Sequence, residues 1–179
     1  CPRDYLSTYL KLGTVAMLAL GLLFVNPSLH MPALTRYTAG SGPIIPGPVW
    51  PYVSITIMCG AISGFHALIV SGTTPKMLNN EAEMKMIGYG SMAVEGFVAI
   101  LALIAACALQ QGDYFAISTS PEAWATLGMT THELPALAAA VKEDLMHRPG
   151  GSVTLAVGMA SVFSGLPGMK APMAYWYHF

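Results

Sequence analysis

Glu95 stands about midway along an apolar run from about Met86 to Leu109, with Val94 and Phe97 close by. A charged carboxylate at the centre of a bilayer costs about 2.5–3.5 kcal/mol on insertion scales, so a residue of this kind is placed against protein or water and carries a function by default. Its helical face is also unusual. Gly88, Ser91, Glu95, Ala99, Ala102 and Ala106 recur at spacings of three and four, which lines them up on one side of a helix. Small side chains let a second helix approach closely. Glu95 is therefore expected to face a protein interior. Two chemistries suit it there: binding a proton or cation and coupling it to transport, or serving as a protonated structural acid hydrogen-bonded to a neighbouring helix.

A second candidate is His66, in an apolar run from about Val49 to Ser71. Thr56, Gly60, Ser63, Ala67 and Ser71 share one face of that helix, and Gly60 with Gly64 makes the GxxxG spacing of close helix packing. His66 lies about 60° around from Ser63 at 100° per residue. A free imidazole titrates near pH 6.5, which suits proton handling. The alternative is a core histidine bonded to a carbonyl or hydroxyl. The next stretch, Ser71-Gly72-Thr73-Thr74-Pro75-Lys76, superficially resembles a phosphate loop but lacks GxxxxGK[ST], so nucleotide binding is not expected. Gly72 and Pro75 are expected to end the span, with the threonines bonding freed carbonyls. Such unwound backbone coordinates ions or substrate in transporters. An ordinary helix end with a turn reads the same way. Ser63, Gly64, Ser71, Gly72, Thr73 and Thr74 are thus the expected lining of a substrate or ion pathway, with Glu95 and His66 handling the proton.

Other chemistries find no residues. Cys1, Cys59 and Cys107 form neither a CxxC nor a Cys/His spacing, and His30, His132, His147 and His178 show no ligand spacing with one another, so no metal or cofactor is expected. No nucleophile and base stand together, so no enzyme is expected. Net charge is −1 without a basic stripe, which argues against nucleic acid.

The elements that must position these residues follow from composition. Only 9% of the 179 residues are charged and 54% are hydrophobic, against about 25% charged in a soluble domain. Too few charges remain to cover a water-facing surface. An all-α, polytopic membrane chain is expected, with spans at about 12–25, 49–71 and 86–109, since a crossing takes about 20 apolar residues. Tyr5 to Lys11 forms an interfacial lead-in to the first. Asn26 to Pro48, with five prolines and three glycines, is a loop. Trp50 and Tyr52 then sit where an aromatic belt would be. Residues 110–151 form a wetter, extramembrane stretch. Leu134, Leu137, Val141 and Leu145 recur there with the period of one amphipathic helix, with Thr130 and Glu133 as a capping box and Pro149-Gly150-Gly151 as its end. Residues 152–179 are a truncated apolar segment, in which Val153 to Leu166 is too short to span: a half-helix, a re-entrant piece or a core segment. Arg3, Lys11, Lys76 and Lys85 place the start and the second connection on the cytoplasmic side. Cys1 and the aromatic last residues read as cuts in a longer chain, whose remaining helices, with the lipid bilayer, are the expected packing partners.

Several of these stretches together are familiar. Ile55-Thr-Ile-Met-Cys-Gly-Ala-Ile-Ser-Gly-Phe-His-Ala-Leu68 with Ser71-Gly-Thr-Thr-Pro-Lys-Met-Leu78 resembles the signature of the carbon starvation protein (CstA) family. Pro2-Arg-Asp-Tyr-Leu-Ser-Thr-Tyr-Leu-Lys11, Ile87-Gly-Tyr-Gly-Ser-Met-Ala-Val-Glu-Gly-Phe-Val-Ala-Ile100, Gly150-Gly-Ser-Val-Thr-Leu-Ala-Val-Gly158 and Trp176-Tyr-His-Phe179 agree with it, in the same order. The chain departs at Gly96, where the family usually has serine, and at Gly150-Gly-Ser-Val-Thr154, where it usually has Gly-Gly-Ala-Pro-Thr. The resemblance implies a bacterial inner-membrane protein with more spans than this chain. Its fold would be that of the amino acid/polyamine/organocation transporter superfamily, with inverted repeats and broken helices. The implied function is proton-coupled import of a small organic solute, pyruvate or short peptides, during carbon starvation. A starvation-linked membrane sensor without transport is the alternative.

Overall fold

The computed structural model describes residues 2–63, 66–169 and 173–178, and for 2, 62 and 63 the backbone alone. Among the described residues every regular element is helical. Three apolar helical runs are long enough to cross a membrane: Arg3–Val25, Val49–Met77 and Glu83–Cys107. The chain divides into two compact units. One comprises residues 1–33 and 98–179, the other residues 34–97.

In the first unit, helix α1 covers Pro2–Val25. It begins ten residues before the expected Leu12, because the polar lead-in is itself helical. Asp4 lies in the first turn, where a negative charge complements the helix dipole. The Thr8 and Thr14 hydroxyls donate to the carbonyls of Asp4 and Leu10, which keeps both side chains satisfied on the helix. Asn26 in the left-handed conformation (φ 45°), followed by Pro27, stops it.

Residues 110–151 hold three short helices: α6 (Gln111–Ser118) and α7 (Pro121–Leu127) in the first half, and α8 (Leu134–Val141) in the second half, where the single amphipathic helix is expected. The four apolar residues of the sequence pattern, Leu134, Leu137, Val141 and Leu145, are all buried. The helix carrying them ends earlier than expected, because Lys142 is left-handed (φ 61°) and the Glu143 N–H closes onto the Ala138 carbonyl. The expected capping box is also replaced. Glu133 is the N-cap and makes no side-chain cap, and a buried residue from α6 takes over: the Asp113 carboxylate accepts from the N–H groups of His132 at 2.8 Å and Glu133 at 2.9 Å.

The apolar segment after Gly150 is helix α9 (Gly151–Ser164), which runs straight through Val153. Its 14 residues give about 21 Å of rise, short of a bilayer core. It is a core element. Val157 and Ala160 join Ile117, Leu134 and Leu145 in one apolar cluster, and Val162 and Phe163 join Leu18, Leu22 and Leu101 in another. Helix α10 (Met173–His178) follows, and its Met173 belongs to the first cluster. On the surface of this unit Arg148 hydrogen-bonds Glu143 at 2.6 Å and holds that carboxyl below its ordinary range, with burial opposing.

Gly158 lets α9 pack closely against the third apolar run at Ala105. A Cβ there would stand 2.5 Å from the Ala105 carbonyl oxygen, a backbone atom that cannot swing aside. We expect Gly158→Ala to destabilise the protein by about 1–3 kcal/mol, the usual cost of overpacking. The check is the thermal transition of the full-length protein in detergent, with Gly151→Ala, which would meet nothing within 4 Å, as the unshifted control.

In the second unit the apolar run opens as α2 (Val49–Met58). Trp50, before Pro51, is extended, as a residue preceding proline prefers. The run then alternates between widened π-helical turns, Cys59–Ser63 and Ile69–Thr73, and the short α-segments α3 (His66–Leu68) and α4 (Thr74–Met77). The expected stop at Gly72 and Pro75 is not observed, and the span runs beyond Ser71. Proline cannot donate to the carbonyl four residues back, and its ring crowds that carbonyl. Widening absorbs both effects: the Thr74 N–H donates to Ile69, five residues back, and helical structure continues to Met77. Leu78 is extended and ends it.

A tight connection leads into α5 (Glu83–Cys107), which starts three residues before Met86 and ends two before Leu109. The Asn80 side-chain oxygen accepts from the Ala82 N–H and its carbonyl from the Glu83 N–H, so the helix is nucleated at Glu83.

Candidate functional site

Polar and ionisable residues of the second unit, His66, Thr74, Asn79, Asn80, Glu81, Ser91 and Glu95, line one cavity of about 690 Å³, bounded by the end of the second apolar run, the connection after it and the first half of α5. Its walls are apolar at Ile69, Val70, Met84 and Ile87. At one end His66 Nε2 lies 3.5 Å from Glu95 Oε1. Each of these residues is costly in lipid alone. Together they stand within ion-pair distance when His66 is protonated.

Local structure explains the placement. His66 sits in the single α-turn α3, which precedes the π turn Ile69–Thr73. A π turn advances the chain by more than 3.6 residues per revolution and so rotates the residues beyond it around the axis, a feature frequent at functional sites. Glu95 lies in regular α5, one turn beyond Ser91, on the same face. Gly88 and Ser91 line the cavity with it. A Cβ at Gly88 would meet nothing within 4 Å, so the glycine leaves room there. The Ser91 hydroxyl is spent on the helix, donating to the carbonyls of Ile87 at 2.6 Å and Gly88 at 3.1 Å. The side chains of His66 and Glu95 are 44% and 68% exposed in this chain, which in a bilayer requires cover from protein or water.

The remaining expected pathway residues divide. Thr74 lines the cavity. Ser71, Gly72 and Thr73 are not among the residues lining it. The Ser71 hydroxyl instead approaches the Leu68 carbonyl at 3.4 Å. Gly64 and the Ser63 side chain lie outside the described residues, and with them the Gly60–Gly64 spacing. At the other end the cavity is bounded by Asn79, Asn80 and Glu81, a group that sequence reasoning took only as a polar connection. Three consecutive polar residues directly after an apolar run were the available signal.

All 179 residues match the family described as carbon starvation protein CstA. The chain belongs to that family. Among its CstA-family relatives, the peptide transporter CstA of Bacillus subtilis is 53% identical over 178 residues, 99% of this chain and 30% of the relative. The peptide transporter CstA of Escherichia coli is 47% identical over 197 residues, 99% of this chain and 28% of the relative. The pyruvate/proton symporter BtsT of Escherichia coli is 44% identical over 217 residues, 99% of this chain and 30% of the relative. The chain thus spans under a third of the length of these relatives. No solved structure matches it. Transporter relatives and three apolar helices together mark a membrane protein.

Proposed function

We propose that this CstA-family chain is part of a multi-pass bacterial inner-membrane secondary transporter, not an enzyme. It would import a small organic solute, short peptides or pyruvate, together with protons. The observation that carries the proposal is the His66–Glu95 pair, 3.5 Å apart at one end of a 690 Å³ cavity. Glu95 carries the coupling proton and His66 relays it. Thr74 and the backbone of the π turn before it form part of the solute path, with Ser63, Gly64, Ser71, Gly72 and Thr73 contributing once the remaining helices of the parent chain close around them. Relatives named for peptide transport and for pyruvate/proton symport support both the solute class and the coupling ion. The irregular second span supports an inverted-repeat fold with broken helices like that of the amino acid/polyamine/organocation superfamily, in which helix discontinuities hold the coupling site. The lysines at 76 and 85 orient the intervening connection toward the cytoplasm.

The test is uptake of pyruvate and of a dipeptide by the full-length parent protein in proteoliposomes, with and without an imposed proton gradient. Gradient-dependent uptake of either supports the proposal. Absence of both in folded protein contradicts it. His66→Gln should slow gradient-driven uptake by about tenfold and leave the direction of coupling unchanged, because a relay assists proton transfer that Glu95 still performs. Initial rates against external pH would check this.

A further inference from the structure

The end of the cavity away from His66 is lined by Asn79, Asn80 and Glu81. There the connection is fixed by Asn80, whose side-chain oxygen and carbonyl both accept backbone N–H groups, from Ala82 and Glu83. Glu81 is held beside it, its carbonyl accepting from the Met84 N–H. Among the described residues the Glu81 carboxylate has neither a hydrogen-bond nor an ion-pair partner, although it lines the cavity. From Glu83 to Glu95 helix α5 rises about 18 Å, so the cavity has a carboxylate near each end and an apolar wall between them. No lysine or arginine is among the described residues that line it.

This charge pattern discriminates between solutes. A small oxoacid brings only negative charge and finds no cation in the lining except His66 when it is protonated, which Glu95 already faces, and like charges brought together are disfavoured. A solute with an ammonium group finds a carboxylate at Glu81, next to Asn79 and Asn80 in the lining. Length points the same way. Three extended residues span at most about 11 Å, which suits a cavity whose two ends are this far apart once the glutamate side chains reach inward. We infer that Glu81 is a specificity-determining residue that recognises the free amino terminus of a short peptide. The inference rests on the cavity being the transport site, as proposed above.

Its test is a binding measurement, so that its failure is separate from a failure of transport. The thermal transition of the purified full-length protein is recorded with dialanine and with N-acetyl-dialanine, for the wild type, Glu81→Gln and Glu81→Asp. Dialanine should stabilise the wild type, and the acetylated compound should not. Glu81→Gln should need at least about ten times more dialanine for the same shift, as expected for loss of a charge-assisted contact. Glu81→Asp should recover most of the shift, which a purely structural role would not produce. Equal stabilisation by both compounds, an unchanged response in Glu81→Gln, or no response of the wild type to dialanine would each overturn the inference. Gradient-driven uptake, measured separately, tests the transport reading without reference to Glu81.

Discussion

Glu95→Gln should reduce gradient-driven uptake by at least about 100-fold, the lower range for loss of a positioned proton-transfer group, while leaving solute exchange in place. Glutamine has the shape of the carboxylic acid and keeps an oxygen that can accept from His66 Nε2, now 3.5 Å from Glu95 Oε1. It cannot take up or release a proton. The substitution therefore separates the two chemistries that a carboxyl group within an apolar helix permits. If Glu95 is a structural acid, glutamine replaces it as a hydrogen-bonding group and uptake continues. If Glu95 is the coupling group, the carrier is locked in the equivalent of its protonated state. Counterflow of labelled against unlabelled solute, which needs no net proton movement, then persists while accumulation is lost. The two assays on one reconstituted preparation also control for folding, because a misfolded variant would lose both.

Asp113→Ala should strongly destabilise the unit formed by residues 1–33 and 98–179. Asp113 is 1% exposed and holds two backbone N–H groups, of His132 and Glu133, at the entry to α8. A hydrogen bond to a charged group contributes about 1.5–3 kcal/mol, and an N–H left without a partner adds its own desolvation cost. Offsetting this is the cost of burying the carboxylate itself. A net loss of about 3 kcal/mol is expected for alanine. Asparagine, which retains one acceptor oxygen, should lose less. Thermal transitions of the full-length protein in detergent would rank wild type, Asn and Ala in that order. Because α8 supplies Leu134, Leu137 and Val141 to the core, the alanine variant should also expose the backbone of residues 131–141 to faster hydrogen exchange.

How far the sequence reaches differs from one element to the next. The burial of Leu134, Leu137, Val141 and Leu145 was legible because a repeating apolar face has to be covered. The end of their helix was not, because a lysine rather than a glycine adopts the left-handed conformation that stops it. Helix α7 carried readable signals, Ser120 and Pro121 at its start and Gly128 after its end, but with only seven residues it has too little periodicity to stand out. Asp113 was invisible as a cap, since its partners lie 19 and 20 residues away. At the candidate site, His66 and Glu95 each drew attention for the same reason, the cost of an ionisable group within an apolar run. That they meet could not be read from either helix, because the π turns shift the face His66 presents and no local pattern marks such a turn. Glu81 was passed over for the opposite reason: a glutamate in a short polar connection is ordinary until a cavity is seen to open beside it.

The central claim, that this chain contributes the proton site of a solute symporter, is tested most directly by proton flux driven by the solute itself. Full-length protein is reconstituted with a pH-sensitive dye inside the vesicles and no imposed gradient, and pyruvate or dialanine is added outside. The account predicts that one of them acidifies the lumen, and that Glu95→Gln vesicles stay at constant pH. Solute entry without any change of internal pH in the wild type would contradict it.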